Sequence, residues 1–210
     1  MAQTFLRTVF TDTTRQLQAA DGSRDAYAKM EGDSAAGVDE MGEREADFIA
    51  ARDSFYMASV TADGWPYIQH RGGPAGFLKW LPGNMLGFAD YSGNRQFVSM
   101  ANIADDNRVA LFLMDYPNRR RLKLVGRARV VTAVDDPALV SSLMPNGYRA
   151  LAERAFLIDV VGFDWNCPQH ITPRFTEAEI AAAVAPLNTE LATLRAENER
   201  LRAILKDKTA

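Results

Sequence analysis

The chain has 210 residues, 47% hydrophobic and 24% charged, a globular composition with enough apolar material for a core and too much for wholesale disorder. Its 24 Lys and Arg against 27 Asp and Glu leave a net charge of −3, which argues against the basic surface that non-specific nucleic-acid binding requires. One cysteine, Cys167, excludes an internal disulfide and a Cys-rich zinc site, and two histidines, His70 and His170, leave few soft metal ligands. There is no run of membrane-spanning length and no basic-then-apolar leader pattern. The expectation is a reduced, cytoplasmic protein without a metal, a nucleic-acid partner or a membrane partner.

Residues 4–20 are predicted to be helical, with Phe5, Val9, Phe10 and Leu17 as apolar positions. Residues 32–42, rich in Gly, Asp, Ser and Ala, read as a loop, and 43–52 as a helix with Phe48 and Ile49 facing inward. Strand compositions follow at 54–61 and 65–70, with the hairpin signal Asp63-Gly64 between them. A strand at 77–81 closes on Pro82-Gly83-Asn84, and further strands cover 85–89, 109–114, 121–131 and 155–163. Short helices are expected at 94–103 and 137–143. Seven short strands that do not alternate with helices predict a mainly β fold, an antiparallel barrel or sandwich with flanking helices, not a doubly wound parallel sheet.

The tail changes character. Ile180, Val184, Leu187, Leu191, Leu194, Asn198, Leu201 and Leu205 are spaced alternately by four and three, a heptad seam. Leucines occupy the d positions 187, 194 and 201, and Asn198 an a position, where a buried Asn favours a parallel two-stranded pair. Glu190 would face Arg195 of a partner, and Glu197 would face Arg202. The other reading is an amphipathic helix lying on its own domain. The expected organisation is an extension over 1–42, a barrel domain over 43–175 and a dimerisation helix over 176–210.

Four segments could carry chemistry. In Arg71-Gly72-Gly73-Pro74 a strand ends in a fixed cation and two glycines, which suits a planar or phosphorylated ligand or, equally, a plain Gly-rich turn. In Phe88-Ala89-Asp90-Tyr91-Ser92-Gly93-Asn94-Arg95-Gln96 a strand leads into a helix whose first turn would hold Arg95 and Gln96. A helix start binds anions, and arginine there is mildly unfavourable unless an anion compensates; the other reading is an ordinary capped helix with a surface arginine. Arg119 to Arg121 open a long strand whose basic face, Lys123, Arg127 and Arg129, could be solvated or lie beside an anion. The segment Asp164-Trp165-Asn166-Cys167-Pro168-Gln169-His170 offers groups that could stack on and hydrogen-bond a flat ring, or serve structure alone. Walker, Gly-x-Gly-x-x-Gly, Gly-x-Ser-x-Gly and His-Glu-x-x-His patterns are absent, which weighs against triphosphatases and common hydrolases.

Together these segments resemble the pyridoxamine 5′-phosphate oxidase-like, FMN-binding split-barrel family. The resemblance rests on the hairpin ending in Arg71-Gly-Gly-Pro, the Phe88 to Gln96 block, and Asp105-Asp-Asn-Arg-Val-Ala-Leu-Phe-Leu leading to Leu-Val-Gly-Arg-Ala-Arg-Val. It implies a homodimer of split barrels with FMN at the interface and a small-molecule substrate. On that pattern Arg71 starts the flavin-binding strand, with Gly72, Gly73 and Pro74 behind it. Phe88, Ala89 and Asp90 lie beside the flavin, and Asn94, Arg95 and Gln96 match the phosphate cluster. Arg121 stands near the ring, where Asn166, Gln169 and His170 would reach it from the second subunit. Three departures matter: Gly76 replaces a lysine that serves FMN and substrate, Gln96 replaces the second basic phosphate ligand, and the oxidase's C-terminal Arg-x-His motif is missing. The resemblance thus implies an FMN-dependent oxidoreductase with no catalytic side chain assigned. Its alternatives are the true pyridoxamine 5′-phosphate oxidase and a non-enzymatic binder of flavin, haem or deazaflavin.

Overall fold

The computed structural model describes residues 3–32, 37–93, 95–165 and 168–208. Helices α1 (Gln3–Val9), α2 (Asp12–Asp21), α3 (Arg24–Glu31) and α4 (Glu43–Ala50) precede strands β1 (Ser54–Val60), β2 (Pro66–Gly72), β3 (Lys79–Leu81) and β4 (Met85–Tyr91). Then come α5 (Val98–Asp105), β5 (Arg108–Asp115), β6 (Arg120–Thr132), α6 (Pro137–Leu143), β7 (Ala152–Trp165) and α7 (Glu177–Lys208). The seven strands form one antiparallel sheet in the order β2-β1-β5-β6-β7-β4-β3, with β2 and β3 at its ends, so the sheet does not close.

All seven expected strands are present; β1, β2, β5 and β6 alternate between a core face and an outer face, whereas β4 and β7 carry continuous buried runs. In β6, Leu122, Leu124 and Ala128 are buried while Lys123, Arg127 and Arg129 alternate with them. Two cations of the basic face have carboxylate partners, Lys123 with Asp164 at 2.7 Å and Arg129 with Asp159 at 2.7 Å, while Arg127 donates to the neutral Asn107 at 3.0 Å. Between β1 and β2 the turn is a three-residue loop. Gly64 N–H donates to the Thr61 carbonyl and Gly64 adopts φ 85°, the left-handed position such a loop reserves for glycine. At Gly126 the β6–β7 register shifts, and a Cβ there would lie 2.6 Å from the Asp159 carbonyl oxygen, so the bulge requires glycine.

The core fills the inner face of the sheet. Phe55, Phe77, Phe88 and Phe156 form one aromatic cluster, with Phe88 and Phe156 stacked at 5.0 Å and Phe55 and Phe88 edge to face at 5.3 Å. A smaller cluster places Val140 and Leu143 of α6 on Ala89, Ala155 and Leu157.

Three helical expectations are corrected. The helix predicted over 4–20 divides at Phe10, because Thr11 adopts extended backbone and accepts the Thr14 N–H, starting α2 afresh. Helix α3 was not anticipated; Gly22 at φ 81° terminates α2 and lets the chain reverse. The helix predicted from 94 begins at Val98 instead, because Arg95 (φ 55°) and Phe97 (φ 56°) are left-handed and cannot enter a right-handed helix. Asn94, Asn166 and Cys167 lie outside the described residues.

Two compact units are distinguished. The larger comprises Met1–Asp115 and Arg119–Ile171, and so holds the N-terminal helices with the sheet. The Asp39 carboxylate accepts the Thr4 and Phe5 N–H groups of α1, and a Cβ on Gly162 of β7 would lie 2.5 Å from the Phe5 nitrogen. The smaller comprises Tyr116–Asn118 and Thr172–Ala210, with α7 as its main element. Among the described residues, no helix is long and apolar enough to cross a membrane.

Helices α2 and α3 are tied by Glu31, which is buried and paired with Arg15 at 3.0 Å and with Arg24. Burial alone would raise the Glu31 carboxyl, but its bonds to Arg24 and Arg15 outweigh that and hold it below its ordinary value of 4.5. A carboxylate depressed in the folded state stabilises above its unfolded pKa, and that stability is lost as pH falls through the folded value. Urea unfolding should therefore show Glu31→Gln less stable than the parent near neutrality, with the difference shrinking below about pH 4.5.

Candidate functional site

Period two puts Tyr67, Gln69 and Arg71 of β2 on one face of the strand, half-buried, while Ile68 and His70 point outward. This inward row faces the end of β4, where Asp90 and Tyr91 sit at a register shift, and the start of β7, where Arg154 pairs with Asp90 across the ladder. The first turn of α5 closes the remaining side. Together these elements line a cavity of about 290 Å³, with Tyr67, Gln69, Arg71, Asp90, Arg154 and Phe156 in its wall and Gly93, Arg95, Gln96 and Phe97 at the approach to α5.

Three arginines and two carboxylates set its charge. Arg71 Nη1 donates to Asp90 Oδ1 at 2.7 Å, and Arg154 Nε lies 3.5 Å from Asp90 Oδ2. Arg154 also pairs with Glu153, and Arg95 Nη2 lies 3.9 Å from the other oxygen of Glu153. Arg71 and Arg154 side chains are only 13% and 11% exposed, whereas that of Arg95 is 72% exposed. The Arg71 guanidinium stands over the Phe156 ring at 4.9 Å, and Arg154 over Phe97 at 5.4 Å.

Burial pushes the Asp90 carboxyl above its usual range, against the pull of Arg71 and Arg154, and pushes the Arg71 guanidinium below its own, against Asp90. Tyr91 is likewise raised by burial. The Ser92 hydroxyl, aided by Arg154 and Arg95, holds Glu153 below the ordinary glutamate value. Arg71 Nε and the Tyr91 hydroxyl are buried with no hydrogen-bond partner. Such atoms are uncommon in folded proteins; Arg71 lies in the cavity wall, whereas the Tyr91 ring packs edge to face with Tyr148 and against the α6 cluster.

The sequence-predicted residues divide. Arg71, Asp90, Arg95 and Gln96 line this cavity. Phe88 is buried in the aromatic cluster and Ala89 in the separate cluster under α6. Gly72, Gly73 and Pro74 lie outside its wall. The close approach at Gly73 is internal, since a Cβ there would meet the Phe77 ring at 2.8 Å. Arg121 sits on β6, its guanidinium 6.0 Å from the Phe112 ring and its Nε buried without a partner, away from the cavity wall. Gln169 and His170 are exposed, His170 at φ 62°. Gly76, noted for its missing lysine, has φ 80°, a conformation in which a lysine would be strained. Tyr67, Gln69 and Tyr91 fall within or beside the candidate segments but were assigned no role, and Glu153 and Arg154 were not anticipated. The alternation of β2 pointed to the first two, and the adjacent Glu153-Arg154 pair at the start of β7 was the available signal for the last.

Residues 41–161 match the family model of pyridoxamine 5′-phosphate oxidase. The chain belongs to the pyridoxamine 5′-phosphate oxidase family. Solved structures similar to it include HupZ of Group A Streptococcus, at 15% identity over 64% of this chain and 100% of that one, with a TM-score of 0.49. A putative pyridoxamine 5′-phosphate oxidase from Lactobacillus delbrueckii is 19% identical over 60% of this chain and 93% of its own, with a TM-score of 0.45. An FMN-binding protein from Syntrophomonas wolfei is 7% identical over 71% of this chain and 97% of its own, with a TM-score of 0.42. No curated protein matches the chain.

Asp90 is the counter-ion for two desolvated arginines, and removing one partner of a buried pair costs about 3 kcal/mol. Asp90→Ala should lower the urea midpoint by an amount corresponding to that loss, with the slope of the transition unchanged.

Proposed function

We propose that this family member binds FMN in the cavity, phosphate and ribityl chain innermost, and acts as an FMN-dependent oxidoreductase on a small-molecule substrate. The observation that carries the reading is the unsatisfied buried donor Arg71 Nε in a cavity with an excess of arginine over carboxylate. That donor set suits a phosphorylated, hydroxyl-bearing ligand. Its volume lies at the small end for a cofactor pocket, which suits the tail of FMN better than the whole molecule.

Bound flavin would supply the redox chemistry. The chain's own residues then have separable tasks. Arg95 and Arg154, on either side of Glu153, supply the cations for a phosphate. Arg154 takes the part of the second basic ligand that Gln96 does not provide. Arg71 offers its free Nε donor, and Asp90 keeps Arg71 and Arg154 oriented. Phe156, under Arg71, keeps the inner wall apolar and dry. Gln169 and His170 of a second copy would complete the ring end in a homodimer. The φ of 80° at Gly76 strains any side chain there, so the lysine with which the true oxidase serves its substrate is missing, which weighs against pyridoxamine 5′-phosphate as the substrate.

Titration of the apoprotein with FMN, followed by flavin fluorescence and the visible spectrum, tests the reading. Arg95→Ala, whose side chain is exposed and whose loss spares the fold, should weaken binding roughly tenfold. Arg154→Ala should weaken it at least as much, with folding checked by circular dichroism. Failure to take up FMN, uptake of haem or a deazaflavin in its place, or FMN affinity unchanged in both variants would overturn it.

A further inference from the structure

Helix α7 carries its apolar residues at heptad spacing. None of its residues is buried, and its apolar positions form one continuous row: Leu187 is 64% exposed, Leu191 46%, Leu194 54% and Leu201 48%. Single exposed leucines are ordinary, but a contiguous row along a 32-residue helix is an unfilled interface. We infer that α7 pairs with α7 of a second copy of this chain, in register and parallel, as a short two-stranded coiled coil.

The occupant follows from the seam and its flanking charges. With Leu187, Leu194 and Leu201 at d, the a positions are Leu191, Asn198 and Leu205. In a parallel pair Asn198 meets its own copy and can be hydrogen-bonded. A shifted register would bury it against leucine, unsatisfied. The g positions 190 and 197 are both Glu, and the e positions 195 and 202 are both Arg. Parallel pairing sets each g against the e five residues on in the partner, which joins Glu190 to Arg195 and Glu197 to Arg202, each twice by symmetry. Antiparallel pairing would set g against g and e against e, bringing Glu to Glu and Arg to Arg. Exposed ion pairs contribute little stability, about 0.2–1 kcal/mol each, but the sign of all of them together selects the orientation.

Pro186 marks the start of the working seam. It lacks the N–H for a helical bond and crowds the carbonyl four residues before it, and its heptad position c faces away from the seam. From Leu187 to Leu205 the seam spans about three heptads, marginal for an isolated peptide. The pairing therefore has to be tested in the full chain, and it does not depend on the flavin reading.

The experiment is directed cross-linking. In a Cys167→Ser background, Leu187→Cys should form a disulfide-linked dimer on mild oxidation, with the mass of two chains by sedimentation. Adding Glu190→Arg and Glu197→Arg should cut the cross-linking yield several-fold. Mixing that chain with one carrying Arg195→Glu and Arg202→Glu and the same cysteine should restore it. These substitutions are on an exposed helix and leave the sheet intact, which thermal melts would verify. A monomeric chain, an assembly larger than a dimer, no disulfide at 187, or a yield indifferent to charge reversal would each overturn the inference.

Discussion

Asp90 holds the site together by accepting from Arg71 at 2.7 Å and lying 3.5 Å from Arg154, so that one carboxylate links the ends of β2, β4 and β7. These strands are not neighbours in every case: β2 is one end of the sheet, and β4 lies next to the other. The triad therefore spans the gap that the open sheet leaves. Buried ion pairs seldom improve stability over apolar packing, because desolvating the charges offsets their attraction. The retention of this one is better explained by position. It fixes two guanidinium groups in the wall of a cavity and leaves one of their donors, Arg71 Nε, without a partner.

The surroundings make that arrangement possible. The aromatic cluster gives Arg71 a flat apolar support in Phe156, and the stacked Phe88 ring backs it. On the opposite side, Arg95 and Phe97 adopt left-handed backbone before α5, a conformation that bulky residues seldom take. This delays the helix and leaves the preceding segment free to line the cavity. Phe97 is thereby placed against the Arg154 guanidinium. Backbone strain concentrated beside a charged cavity is a recurrent mark of a functional site.

The fold was legible where local rules act alone. Strands β1 to β7 follow from strand composition, from alternation in β6, and from turn residues such as Asp63-Gly64 and Pro82-Gly83-Asn84. Helix α6 followed from Asp136, whose side chain caps the Leu139 N–H, and from Pro137 behind it. Legibility ended where tertiary contacts override propensity. Residues 94–97 have a helical composition, yet packing around the cavity holds Arg95 and Phe97 left-handed. Arg154 escaped notice because β7 begins before the apolar run at Ala155 that announces it, and only the pairing of Asp90 with Arg154 shows its role. Arg71, Asp90 and Arg95 were readable from family likeness. The roles of Gly72 and Gly73 were not, since a glycine that admits a phenylalanine ring looks the same in sequence as one that admits a ligand.

The central claim is that the cavity recognises a flavin by its phosphate. Comparing FMN with riboflavin on the same apoprotein tests it most directly, because the two differ only in that group. The account predicts that riboflavin binds at least tenfold more weakly than FMN and that inorganic phosphate competes with FMN. Equal affinity for the two flavins would contradict it.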